Sequence, residues 1–357
     1  MAPGGDSQRP LEVFGWRPMR QPLKLPPGPG RPGGPFRLCQ AIGKRLECMP
    51  GQGARPANPE APRAGPGTPP NRPMPITILQ IIILGIVQGA AELLPVSSSA
   101  HVIVAEKLMG IDPTSPEATF LLVMLHTGTM FAVLAYFWGA WKRSYFSTRE
   151  QFVSVAARAV LATALTGAVG LGLKRVIERT FLAGTPSGQI EELFGRLPLI
   201  AGALAAAGVL IIIAGRKGGA GAAEAPVTAR SAAWMGIVQG LSLPFRGFSR
   251  SGGTISTALL LGAGRRQAEE FSFVLAVIIT PPVIARELLR LRHAGTGQHH
   301  LLRLAAPGLA GMLCSLAAGL LALRLLSKWL EQGRWRLFGC YCLGAAAVVA
   351  ALSASGI

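Results

Sequence analysis

The sequence predicts an all-α polytopic membrane protein with about six transmembrane helices and two re-entrant helical hairpins, its halves related as an inverted repeat. Three observations carry this expectation. Half of the 357 residues are hydrophobic and only 15% are charged, with a mean hydropathy of +0.41, too apolar and charge-poor for an ordinary soluble domain. Six apolar runs each approach the ~20 residues that a helix needs to cross a hydrocarbon core ~30 Å thick. A pentapeptide, GIVQG, occurs at 85–89 and again at 236–240, each time running into proline and serines within an apolar segment.

Taken in order, residues 1–73 hold 17 of the 28 prolines and eleven Lys/Arg against four Asp/Glu. Such a composition cannot bury enough apolar surface to offset ordering, so this Pro/Gly/Arg-rich stretch reads as a disordered extension or as the result of a start assigned upstream of Met74. It lacks the apolar core of a secretory signal and is too proline-rich for an amphipathic transit peptide. A membrane-embedded domain is read over 74–357, with repeat halves at about 74–214 and 232–357. Full spans are read at about 119–138, 154–173, 197–214, 269–287, 304–326 and 337–354.

Segments 76–109 and 232–263 differ, because proline, glycine and serine interrupt both midway. A helix broken inside a membrane leaves N–H and C=O groups unpaired, so the break must be buried in protein or line a polar cavity. Two interrupted segments, each followed by three full spans, fit an inverted repeat with a site near the midplane. An odd number of crossings separates the copies, so the tips approach from opposite faces and can meet.

The tips carry the candidate chemistry. In the first, Pro95 closes a helix, and Ser97, Ser98 and Ser99 precede a second short helix beginning near Ala100, with His101 just behind. In the second, Ser249, Arg250, Ser251, Gly252, Gly253 and Thr254 lead into another short helix. Helix N-termini offer free amides and a positive dipole end, which favour an anion, phosphate above all. Small residues let a ligand approach the backbone, and Arg250 adds a planar fork matched to phosphate oxygens. Glu92 is a carboxylate in an apolar helix, which marks function by default, and Gln88 shares its face four residues earlier. Acid, hydroxyls, imidazole and arginine around an anion site form a phosphoryl-transfer constellation, in which the carboxylate holds a metal or moves a proton and Ser or His attacks phosphorus.

The formal charge of +18 is spread as +7 before Met74 and +11 after it, without a basic helix interleaved with aromatics, so nucleic acid is not an expected partner. The five cysteines show neither metal spacing nor a disulfide framework.

The stretch GIVQGAAELLPVSSSAH resembles the first signature of the undecaprenyl-diphosphate phosphatases, the bacitracin-resistance membrane phosphatases, and GFSRSGGTIS resembles their second. The similarity continues into RRQAEEFSFVLAV and covers essentially all of 74–357. It implies hydrolysis of undecaprenyl diphosphate to the monophosphate carrier of cell-wall peptidoglycan synthesis. It also implies a divalent cation, Mg2+ or Ca2+, and a site open to the outer face of the bacterial cytoplasmic membrane. Carried over by position, Glu92 and Gln88 fill the acidic pair, with Glu92 the metal ligand. Ser98 and His101 fill the hydroxyl and imidazole positions, Arg250 clamps phosphate, and Ser249, Ser251 and Thr254 complete the second motif. Substrate contacts are further expected from Ser97, Ser99 and Gly252. The partners implied are the lipid diphosphate and membrane lipid, with a homodimer left open.

This chain departs from the family pattern at Arg246, where proline is usual, and at Ala100, where glycine is usual. Gln88 is Glu in some members. His126 in LHTGT is read as structural, Gln239 as a hydrogen-bonding link between the repeats, His299 and His300 as solvated surface, and Arg265, Arg266, Glu269 and Glu270 as interfacial anchors or ion pairs. The rival reading is a transporter or flippase that moves an anionic lipid without cleaving it. Twelve Lys/Arg in loops beside Lys142 and Arg143, against nine beside Lys174 and Arg175, place the first side in the cytoplasm. Residues before Met74 would then be exported, which favours a downstream start.

Overall fold

The computed structural model describes residues 76–112, 115–180, 193, 196–217, 225–293 and 298–355. The expected disorder of 1–73, and the side chains of His299 and His300, lie outside the described residues. Ten α-helices follow one another: α1 Ile78–Leu93, α2 Ser98–Leu108, α3 Pro116–Ser144, α4 Arg149–Thr180, α5 Leu197–Lys217, α6 Ala229–Ser242, α7 Arg250–Leu260, α8 Arg265–His293, α9 Gln298–Glu331 and α10 Trp335–Ala354. No strand occurs among the described residues. Six helices, α3, α4, α5, α8, α9 and α10, are long and apolar enough to cross a membrane, and they coincide with the six runs read from the sequence. Large apolar side chains such as Ile86, Trp138, Val160, Leu321 and Val348 stand exposed on the outer surface, as hydrocarbon-facing helices require.

The remaining helices form two hairpins, α1–α2 and α6–α7. Each returns to its starting side: Gln80 Nε2 donates to the Met109 carbonyl at 3.2 Å, and Gly264 N donates to the Ala225 carbonyl at 2.8 Å. This geometry is compatible with re-entrant segments. Thr77 caps α1 in a capping box with Gln80, and Thr228, at the matching position of the second copy, caps α6 through Ser231 N. Pro95 ends α1, because the residue before a proline is pushed out of helical conformation.

The repeated pentapeptide turns out to be a packing device. GIVQG has glycines four apart, on one helix face, which allow two backbones to approach closely. A Cβ on Gly89 would lie 2.5 Å from the Ser315 carbonyl oxygen, and one on Gly85 2.8 Å from Cys314 Cβ, both on α9. In the second copy, a Cβ on Gly236 would lie 2.3 Å from the Ala162 oxygen, and one on Gly240 2.8 Å from Val169 Cβ, both on α4. The first arm of each hairpin therefore packs on the second long helix of the opposite half. Gln239 Nε2 bonds Thr166 Oγ1 across this junction at 3.2 Å, the link between repeats expected of it.

Candidate active site

The elbows, residues 94–97 and 243–249, bring α1, α2 and α7 together. At the centre lies Glu92, its side chain 13% exposed. Oε1 accepts from Arg250 Nη2 at 2.5 Å. Oε2 accepts from Gln88 Nε2 at 3.2 Å and from Ser98 Oγ in a short contact. Acid, amide, hydroxyl and arginine are thus joined on one carboxylate, with Arg250 reaching it from the other half of the chain. A cavity of about 10 Å³ opens beside the pair, lined by Glu92 and Arg250 with Thr129 and Met130 of α3 and Val277 and Thr280 of α8. It has room for about one water. Pro281 has no N–H, which deprives the Val277 carbonyl on this wall of its i+4 amide partner.

The broken backbone is satisfied by side chains. Three elbow carbonyls accept from three sources: Leu94 from Ser251 Oγ at 3.4 Å, Pro95 from Cys342 Sγ at 3.3 Å, and Ser97 from His101 Nδ1 at 2.8 Å. Ser251 lies in the first turn of α7 and Cys342 on α10, so the first elbow is closed by the second half of the chain. Ser97 has φ 69° and ψ 94° and is the one non-glycine residue with positive φ among the described residues. Such a conformation costs about 1–3 kcal/mol and persists only where the surroundings hold it.

Other expected residues fall less centrally. Both ring nitrogens of His101 are engaged, Nδ1 with Ser97 and Nε2 with the Tyr341 hydroxyl at 2.7 Å. Ser99 faces the buried Ser97 hydroxyl at 3.4 Å. Ser249 caps α7 by accepting from Gly252 N at 3.2 Å. The Thr254 hydroxyl is buried against Ser272 Oγ at 2.6 Å and the Arg250 carbonyl at 2.9 Å. Gly252 serves packing: a Cβ there would meet Ile211 Cδ1 at 2.8 Å. Gly253 does the same, its Cβ falling 2.7 Å from Phe248 Cε1. The left-handed residue of the first elbow is Ser97, whereas Ala100 is helical. Glu269 and Glu270 are buried at the start of α8: Glu270 forms the expected ion pair with Arg266 Nε at 2.8 Å, and Glu269 accepts from Ser327 Oγ at 2.6 Å.

One residue read from sequence as structural faces the centre. His126 Nε2 lies 3.8 Å from Glu92 Oε2, while its Nδ1 is bonded to the Leu122 carbonyl at 2.8 Å. A histidine followed by Thr127 and Thr129 in an apolar span was the available signal, but only the packing of α3 against α1 reveals what it faces. Among the described residues no group of three His, Cys, Asp or Glu side chains is gathered to hold a metal ion.

Residues 81–348 match the family model for bacitracin resistance protein BacA. The chain is 56% identical over 283 residues to undecaprenyl-diphosphatase 2 of Acinetobacter baylyi, an alignment covering 77% of this chain and 98% of that relative. It is 34% identical over 283 residues to an undecaprenyl-diphosphatase of Desulfosudis oleivorans, covering 74% and 94% of the two chains. A Korarchaeum cryptofilum undecaprenyl-diphosphatase is 30% identical over 275 residues, covering 74% and 95%. Six apolar spans, paired hairpins and two signatures meeting at Glu92 agree with that match, and this multi-pass membrane protein belongs to the bacitracin resistance protein BacA family.

Proposed function

We propose that this protein hydrolyses undecaprenyl diphosphate to undecaprenyl phosphate and inorganic phosphate. The observation that carries the reading is the single carboxylate of Glu92, held at once by Ser98 and Gln88 from one hairpin and by Arg250 from the other. Nucleophile and base lie within hydrogen-bond reach, and the base is oriented by further groups, the arrangement that activates a hydroxyl. The polyprenyl tail lies among the apolar spans while its diphosphate displaces Arg250 from Glu92 and takes the guanidinium for itself. Ser98 Oγ attacks the terminal phosphorus, its proton passing to Glu92 and on to the lipid monophosphate as the bridging P–O bond breaks. Water then attacks phosphoserine and gives a proton to Glu92, which passes it to Ser98 Oγ as the Oγ–P bond breaks and phosphate is released. Arg250 opposes the charge that builds on the transferring group.

Among the described residues lining the cavity Glu92 is the carboxylate, and it would hold Mg2+ or Ca2+ together with the bound substrate. Bound there, it would neutralise phosphate charge. The basic side that includes Lys142 and Arg143 faces the cytoplasm of a bacterial inner membrane on this reading, and the site serves the outer face. Nothing in the site favours transport without cleavage, because an attacking hydroxyl paired to its base has no use there. The test is acid quenching of purified protein during turnover on undecaprenyl diphosphate, followed by mass spectrometry. Phosphoserine at position 98 with free phosphate is expected; phosphate release with an unmodified Ser98 would instead assign the attack to water.

A further inference from the structure

The strained Ser97 needs something to hold it, and the residues around it state what does. Its carbonyl can only accept, so the 2.8 Å contact from His101 requires the imidazole hydrogen on Nδ1. A neutral ring then carries its lone pair on Nε2. That lone pair is occupied, because Nε2 lies 2.7 Å from the Tyr341 hydroxyl, whose hydrogen it accepts. The two rings are also stacked, centroids 5.7 Å apart and planes 14° from parallel. Tyr341 stands on α10, 240 positions away, and its neighbour Cys342 bonds the Pro95 carbonyl of the same elbow. Helix α10 therefore grips the first elbow at two successive residues, one on each side of the serine cluster. Ser98, next after Ser97, is the residue whose hydroxyl meets Glu92.

We infer that Tyr341 and His101 are positioning residues, a relay from α10 that fixes Ser97 in its left-handed conformation and so aims the Ser98 hydroxyl at Glu92. The imidazole does not touch phosphorus: one nitrogen is a committed donor and the other a committed acceptor. Tyr341 is half-exposed on α10, and its hydroxyl reaches His101 Nε2 at 2.7 Å. The assignment of what Ser98 does once aimed rests on the hydrolase reading above.

The experiment combines one readout independent of activity with one of turnover. Nitrogen-15 spectra of histidine-labelled full-length protein in nanodiscs should show His101 as the Nδ1–H tautomer with its Nε2 resonance shifted by a hydrogen bond. Tyr341→Phe should remove that shift and leave the melting temperature within a few degrees. In phosphate release from undecaprenyl diphosphate, Tyr341→Phe should lower kcat about tenfold with KM unchanged, since small misplacement of a reacting group acts on the chemical step. His101→Asn, whose amide can still donate to Ser97, should retain about a tenth of wild-type activity, whereas His101→Ala should fall about a hundredfold. Phosphohistidine in quenched enzyme, His101→Asn as inactive as His101→Ala, or a Tyr341→Phe protein with wild-type kcat would each overturn the relay. If wild-type protein released no phosphate, the hydrolase reading would fall, while the tautomer and its response to Tyr341→Phe would still decide the relay.

Discussion

Arg250 Nη2 lies 2.5 Å from Glu92 Oε1, joining residues 158 positions apart in sequence at the point where the two elbows meet. Both side chains are mostly buried, 20% and 13% exposed, so each offsets the cost of the other's buried charge. Removing one partner of such a pair strands the second, which costs more than removing both.

A double-mutant cycle reads this dependence. Arg250→Ala alone should destabilise the protein by about 3 kcal/mol, and adding Glu92→Gln should recover about 1–2 kcal/mol of it. Thermal unfolding in detergent measures both. Strictly additive losses would mean that the two side chains do not feel one another.

The glycines of the repeated pentapeptide give a second expectation. Gly89→Ala and Gly236→Ala push a methyl group into the backbones of α9 and α4, and each should cost about 1–3 kcal/mol. Gly172→Ala, with nothing within 4 Å of the added Cβ, should be neutral or stabilise by up to ~1 kcal/mol. Equal melting temperatures for all three would contradict close packing of hairpin on span.

Chelation separates architecture from chemistry. Protein hydrogen bonds from Arg250, Ser251 and Cys342 tie the first hairpin to the second half, so a chelator should abolish phosphate release and leave the melting temperature unchanged, and Mg2+ or Ca2+ should restore activity. A large drop in melting temperature on chelation would assign the cation to the fold instead.

His126 supplies a fourth test. Its Nε2 faces Glu92, so His126→Phe should lower kcat for phosphate release about a hundredfold, the low end of acid–base and hydrogen-bonding contributions, with little loss of stability. Full activity would return His126 to the structural role that its sequence context suggested.

The meeting of the elbows was legible because a break in an apolar helix compels burial and partners, and Glu92 and Arg250 were the charges at the two breaks. Six spans were legible from length and hydropathy alone. The meaning of GIVQG was not, since the same glycines suit a turn, a ligand or a helix contact, and only the exchange of hairpins between halves selects the last. Gly252 illustrates the same limit: it reads as room for a ligand, and the close approach of Ile211, 2.8 Å from where a Cβ would stand, has no signal in the sequence. The strain at Ser97, itself a sequence candidate, and the part of Tyr341 were hidden for a different reason, because strain at one residue and its support 244 positions later leave no local pattern.

Phosphate release from undecaprenyl diphosphate by purified wild-type, Glu92→Gln and Arg250→Ala proteins probes the shared carboxylate most directly. The wild type should turn over, and each variant should lose at least about a hundredfold in kcat. Wild-type rates in both variants, or movement of intact lipid diphosphate across vesicles with no phosphate released, would contradict it.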